Sequence, residues 1–271
     1  MPTSLTTALT IIGSFGAAST AQIVSHVLTQ NREDKKYKKE CLQNLYSPII
    51  FKVIDYIQSI ERSPLNLVIT STNADYLFDN IMESIGNNLK YAEPELINIF
   101  HEIRDDYESQ KSNSLSHLDE EYKMIMSDMR LTHKILLLNT FINEYIKINK
   151  LLKSNVNPIT NKLRTPYFFC KFYLLVKDCS PMNPIKSDDI LALYDLIDFV
   201  LLPVNNYLER IIKLRKEINI VTNTTAYKDT ARVSAAYTDA YLFLYELADE
   251  FSILNQDRAN EWKYMLERHQ D

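Results

Sequence analysis

The residues that most resemble a metal-binding set lie on one predicted helix and are His101, Glu102, Asp105 and Asp106. Their spacing of three and four residues places an imidazole and carboxylates on one helix face, where they could bind a divalent ion. The same pattern is typical of a solvated acidic helix end, and this interpretation is favoured. Di-iron bundles use Glu-x-x-His from two helices, an order that occurs nowhere in this chain.

Two further sets are weaker. His117 precedes Glu120 and Glu121, which is more typical of a solvated first turn of a helix than of a metal site. Asp195 and Asp198 lie in an apolar stretch, and a buried carboxylate can act as a general acid or base. A carboxylate that is bonded to a neighbouring Tyr or Lys is the commoner arrangement.

The chain contains none of the motifs that identify common enzyme classes. There is no Walker loop, no dinucleotide fingerprint, no His-Glu-x-x-His and no Gly-x-Ser-x-Gly. We therefore expect no metal, no cofactor and no catalytic residue, and a non-enzymatic protein is favoured.

The elements that would position these residues begin with an uncharged N-terminal run. Residues 2–31 contain no Asp, Glu, Lys or Arg, and five cations follow immediately: Arg32, Lys35, Lys36, Lys38 and Lys39. This pattern predicts a transmembrane anchor over residues 1–31. Two alternatives stay open: a signal peptide cleaved near Ser19-Thr20-Ala21, and a helix that is buried in a soluble core or lies in the membrane interface.

The five cations, which we call the collar, predict the orientation and a lipid contact. Basic flanks stay on the cytoplasmic side, so the N-terminus is expected outside and the rest of the chain in the cytoplasm, at the inner membrane. The same side chains are expected to contact anionic lipid headgroups.

Four small residues recur four apart in the predicted anchor: Gly13, Ala17, Ala21 and Ser25. On a helix they form one column, which lets a second helix approach closely, and such packing drives association in lipid. The column predicts a homo-oligomer formed through the anchor. The alternative is that small residues are simply frequent in weakly apolar spans.

Composition excludes several classes of protein. The chain has three glycines in 271 residues, which argues against turn-rich β architectures and phosphate-binding loops. A net charge of −5 in spite of the collar makes a nucleic-acid partner unfavourable. Three cysteines without metal-type spacing indicate free thiols in a reducing compartment.

Apolar residues recur at helical spacing along the rest of the chain and predict an all-α fold, in which the transmembrane helix is followed by a cytoplasmic multi-helix bundle. Residues 32–62 are predicted to form the collar and a juxtamembrane helix, with a kink or break at Pro48, and residues 63–271 a helical domain. A long helix from about 116 to 153 is expected to be central. Pro158 and Pro166 are expected to bracket a loop, and a helix kinked at Pro203 is expected over 187–220.

Residues 45–51 read Leu-Tyr-Ser-Pro-Ile-Ile-Phe. With the preceding span and collar, this motif resembles uncharacterised bacterial and phage single-pass membrane proteins that carry Leu-Tyr-x-Pro after an N-terminal span. The resemblance covers roughly the first sixty residues. It implies a membrane-tethered helical protein and names no activity.

These observations predict a membrane-anchored helical interaction or regulatory protein that binds a protein partner at the inner membrane face. The resemblance implies a bacterial or phage setting, such as envelope regulation or host–phage conflict. The alternative is a membrane-tethered enzyme whose carboxylate and histidine site is assembled from separated helices.

Overall fold

The computed structural model describes residues 29–30, 32–61, 71–112, 119–152, 157–179, 184–200, 205–223 and 230–269. The secondary structure in these ranges is helical without a strand, which confirms the prediction of an all-α bundle. None of the helices described there combines the length and the apolar character that a bilayer crossing requires. The predicted anchor lies outside these ranges except for its last residues.

Helix α1 extends from residue 32 to Glu61 and includes a π-helical turn over Leu42–Tyr46. A 3-10 turn over Leu89–Tyr91 precedes α3. The other helices are α2 (Ser71–Gly86), α3 (Pro94–Ser112), α4 (Glu120–Leu152), α5 (Asn157–Cys179), α6 (Ser187–Leu191), α7 (Tyr194–Val200), α8 (Asn205–Asn223), α9 (Thr230–Ser252) and α10 (Gln256–His269).

The π turn explains how α1 passes its proline. Pro48 has no backbone N–H, and its ring crowds the carbonyl four residues earlier. In the turn before it, the Ser47 N–H donates to the Leu42 carbonyl, five residues back. The wider turn lets the helix continue, so the kink or break expected at Pro48 is a π turn inside one helix.

Helix α1 is part of the main core. Tyr46, Ile50, Val53 and Ile57 are fully buried, and α1 packs against α2, α4 and α5. The predicted boundary at residue 62 coincides with the end of α1, while one hydrophobic core extends across it. The collar is therefore the first part of a helix that the bundle holds along its remaining length.

The most enclosed helix is α5. Every residue from 168 to 176 is buried, whereas α4, which was expected to be central, is exposed over its first turns. The loop expected between Pro158 and Pro166 is instead the beginning of α5. Pro158 stands in the first turn, where its missing N–H has no helical partner, and burial of the following aromatic residues outweighs the one hydrogen bond lost at Pro166.

The helix expected over 187–220 is divided into α6, α7 and α8. The Leu193 N–H donates to the Ile190 carbonyl, a tight turn that ends α6 and redirects the chain before α7. Ile190, Leu193 and Ile197 are all buried. The apolar residues that predicted one straight helix are thus buried by two short helices.

Candidate functional site

The collar is a surface of exposed cations with one exception. Arg32, Lys35, Lys36 and Lys39 are exposed, and none of them forms an ion pair within the part of the chain that is described. Lys38 is half-buried and forms an ion pair with Glu93, just before α3. Four of the five cations predicted to contact headgroups are therefore exposed to solvent, and the fifth, Lys38, is paired with a carboxylate of the same chain.

Contacts on the other side of α1 hold the collar in place. The Tyr37 hydroxyl donates to the Lys90 carbonyl at 3.2 Å, and the Lys38 amine pairs with Glu93. Both partners belong to the turn between α2 and α3. Since Cys41, one turn further along, is fully buried, the exposed cations are only a few residues from the core.

The first turns of α4 form a second exposed surface, and this one is apolar. Tyr122, Ile125 and Met129 are each about half exposed and recur at i, i+3 and i+7, which places them on one helix face. Met126, on the same face, is half-buried. We call these four residues the α4 stripe.

The histidine and carboxylate groups considered as metal or catalytic candidates form no shared cluster among the residues that the structure describes. His101 stacks edge-on against Phe100, and Asp195 is exposed on α7. Asp106 Oδ2 instead accepts a hydrogen bond from Nδ1 of His133 on α4, at a distance of 3.1 Å. Over the described ranges, no three His, Cys, Asp or Glu side chains are grouped as metal ligands.

His117 and the side chains of Glu120 and Asp198 lie outside the description, as do all four small residues of the anchor column, Gly13, Ala17, Ala21 and Ser25. Self-association through the anchor therefore stays a prediction.

A polar cluster that the sequence did not predict joins α4, α5 and α6. The Lys177 amine donates to both carboxylate oxygens of Asp128, at 2.9 and 2.7 Å, and to the Ile185 carbonyl at 2.6 Å. The Ser187 backbone N–H donates to Asp128 Oδ1 at 2.7 Å, and the Ser187 hydroxyl donates to the same oxygen. Asp128, which belongs to α4, thus accepts two hydrogen bonds from the first residue of α6.

Two hydroxyls complete this cluster. Tyr173 hydrogen-bonds the Ser187 hydroxyl and lies 3.2 Å from the hydroxyl of Thr132. Burial alone would raise the pKa of Asp128, but the hydrogen bonds from Lys177 and Ser187 outweigh it and hold that pKa below its usual range. The carboxylate is therefore a charged connection between α4, α5 and α6.

The only hint of this cluster in the sequence is that Ser187 stands where a helix begins. Its partner Asp128 is fifty-nine residues away, which no local pattern reveals.

Comparison of the chain with protein-family models, with curated proteins and with solved structures produced no match.

Proposed function

We propose that the protein is a membrane-anchored helical interaction protein that binds a protein partner at the inner membrane face. The α4 stripe is the observation that carries this proposal. Single exposed apolar residues are ordinary on soluble proteins. Three large ones on one helix face, beside a half-buried methionine, form a continuous patch of the kind that protein partners cover.

The chemistry of the α4 stripe suits a helical or otherwise apolar partner surface. Met126 and Met129 have flexible, polarisable side chains that adapt to irregular surfaces, and Tyr122 adds a ring with a polar tip. The i, i+3, i+7 spacing is the one used when a helix lies in an apolar groove or against a second helix. An exposed apolar face on the longest described helix is thus a ready docking element.

The collar supports the membrane part of the proposal. Four exposed cations at the beginning of α1 would lie against anionic headgroups, where each contributes roughly 1 kcal/mol to attraction near the surface. Because α1 continues from the collar into the core, contact of the collar with the membrane would fix the position of the bundle relative to the bilayer. The proposed arrangement is an anchor outside the bundle, a collar at the headgroups and a stripe facing the cytoplasm.

The partner proposal is tested by placing a charge in the α4 stripe. Ile125→Lys should remove the partner that co-purifies with the tagged full chain from membranes, because a buried interface does not accommodate an unpaired ammonium group. Ile253→Lys is the matched control, since Ile253 is also an exposed isoleucine but lies between α9 and α10. The same co-purifying proteins with both variants would overturn the assignment of the stripe.

Placement is tested separately. The full chain should resist carbonate extraction from membranes, and protease should reach the bundle only from the cytoplasmic side. Replacing Arg32, Lys35, Lys36 and Lys39 by Gln should produce a fraction of inverted molecules, because the basic flank sets the orientation. Recovery of the intact chain in the soluble fraction would contradict the anchor, and a mature N-terminus near Gln22 would support the cleaved signal peptide.

We further propose that the anchor self-associates through its small-residue column. Ala17→Leu should abolish crosslinking in native membranes, because a bulky side chain separates the two helix backbones. Ala18→Leu is the control, since it adds the same volume about 100° around the helix. Equal crosslinking of both variants would show that the column does not form a seam.

A further inference from the structure

The two halves of α4 are held in the bundle in different ways. Most residues from Ile135 to Asn149 are buried, whereas none of the described side chains from Glu121 to Lys134 is. Leu131, which is half-buried, packs against the core. Burial of apolar surface is the main source of stability, so it holds the second half of α4 and contributes little to the first. We call residues 121–134 the α4 arm.

Hydrogen bonds hold the middle of the α4 arm instead. Asp128 accepts from the amine of Lys177 on α5, and from the backbone N–H and the hydroxyl of Ser187 at the start of α6. The Lys177 amine also donates to the Ile185 carbonyl, and the Ser187 hydroxyl also bonds Tyr173. Contacts within α5, α6 and the segment between them therefore position both donor residues independently of the arm.

Two ion pairs of the α4 arm lie at its last two residues, beside the buried half. His133 bonds Asp106 on α3, and the Lys134 amine donates to Asp75 Oδ1 on α2 at 2.9 Å. The two carboxylate side chains are 52 % and 67 % exposed, and pairs with such exposed partners contribute little to stability. These contacts therefore hold the end of the arm, and Asp128 holds the part before it.

From this distribution of contacts we infer that the α4 arm opens as a unit of its own, and that the hydrogen bonds to Asp128 keep it closed against α5 and α6. In the open state the arm leaves α5 and α6, while Ile135 to Asn149 stay packed in the core. The α4 stripe lies on this arm, so these hydrogen bonds also determine whether the stripe has a fixed position on the bundle. That consequence rests on the proposed function, whereas the opening itself does not.

The opening of the arm exposes little apolar surface, because little is buried there. Its free energy therefore comes mainly from the hydrogen bonds to Asp128, which are charge-assisted and largely shielded from solvent. The second half of α4 can open only if the core unfolds, which exposes fully buried residues such as Phe141 and Ile148. The two halves of one helix should thus exchange their amide hydrogens with solvent by different routes.

Hydrogen exchange of the purified full chain in a nonionic detergent, followed by mass spectrometry of peptides, separates the two routes. The amides of residues 123–132 should exchange at least tenfold faster than those of residues 139–149. Their rate should stay constant below about 1 M urea, since urea accelerates an opening in proportion to the surface that it exposes, whereas exchange at 139–149 should accelerate. Equal rates and an equal dependence on urea in the two groups would show that the arm opens only when the core unfolds.

Asp128→Asn tests the contact itself, because it removes the charge and keeps the shape of the side chain. It should accelerate exchange of amides 123–132 about tenfold or more. Asp106→Asn is the matched control, since it removes the charge of an exposed carboxylate that also contacts α4, and it should change the same rates by less than about threefold. Unchanged exchange in Asp128→Asn, or an equal acceleration in Asp106→Asn, would overturn the role of Asp128. Because the experiment contains no partner, its failure leaves the test of the α4 stripe intact.

Discussion

Lys171 and Lys177 lie six residues apart on α5, and the bundle has taken both ammonium groups out of most of their water. The amine of Lys177 is surrounded by oxygen atoms from Asp128 and from the Ile185 carbonyl. The amine of Lys171 lies over the ring of Tyr167, 5.4 Å from its centroid, and forms no ion pair or hydrogen bond with the residues that the structure describes. Lys177 therefore connects helices at the C-terminal end of α5. Lys171, in the middle of α5, carries a charge that no carboxylate among the described residues pairs with. Both lysines are largely buried, and they differ in whether a carboxylate pairs with the amine.

The largest expected effect is at the paired lysine. Lys177→Met should lower the free energy of unfolding by about 2–4 kcal/mol, because it leaves the Asp128 carboxylate and the Ile185 carbonyl without their donor. Urea denaturation followed by circular dichroism measures this loss. Lys213→Met, at a side chain that is 76 % exposed, should change the same quantity by less than about 0.5 kcal/mol.

The unbalanced lysine should show the opposite sign. In chloride buffer, Lys171→Met should raise the free energy of unfolding by about 1–3 kcal/mol, since an apolar side chain of similar length replaces a mostly buried charge that has no carboxylate partner among the described residues. The two variants can be compared in one urea experiment at pH 7. A loss at Lys171 as large as that at Lys177 would mean that both amines have compensating partners and would remove the contrast.

The difference in free energy of unfolding between wild type and Lys171→Met should become smaller as the pH rises. The folded chain releases the Lys171 proton near pH 8, whereas an unfolded lysine keeps it until about pH 10.4. The unfolded state therefore binds more protons in this window, and the stability of wild type rises with pH relative to the variant. Between pH 7.5 and pH 9.5 the difference should narrow by about 1–2 kcal/mol, as measured in bis-tris propane chloride. A constant difference would place the folded-state pKa of Lys171 near its ordinary value.

The smallest expected effect is at Tyr173, which belongs to the same polar cluster as Lys177. Tyr173→Phe should lower the free energy of unfolding by about 1–2 kcal/mol, because it removes the neutral hydrogen bonds to Ser187 and Thr132 and leaves the ring packing unchanged. Asp128 and Lys177 remain bonded to each other in this variant. Thermal denaturation of the single and double variants with Lys177→Met measures whether the two contributions add. A loss in Tyr173→Phe as large as that in Lys177→Met would mean that the tyrosine, and not the ion pair, holds α6.

Much of the fold could be predicted because helical periodicity is local. The sequence indicated an all-α bundle and a long helix over about 116–153, which is the position of α4. The errors fell at prolines and short turns. Pro48 and Pro166 lie inside helices because the π turn and the burial of α5 outweigh the preference of each proline, and neither compensation is local.

The candidate sites divide in the same way. The sequence by itself determined the uncharged N-terminal run, the collar and the all-α class, since each depends on charge and spacing along the chain. The tertiary structure alone decided that Lys38 pairs with Glu93 and that Asp128 accepts hydrogen bonds from Ser187 at the start of α6. Each of these depends on a group more than forty residues away. The pairing of a charge, and with it the cost of burial, is set by helix packing and not by the neighbouring residues.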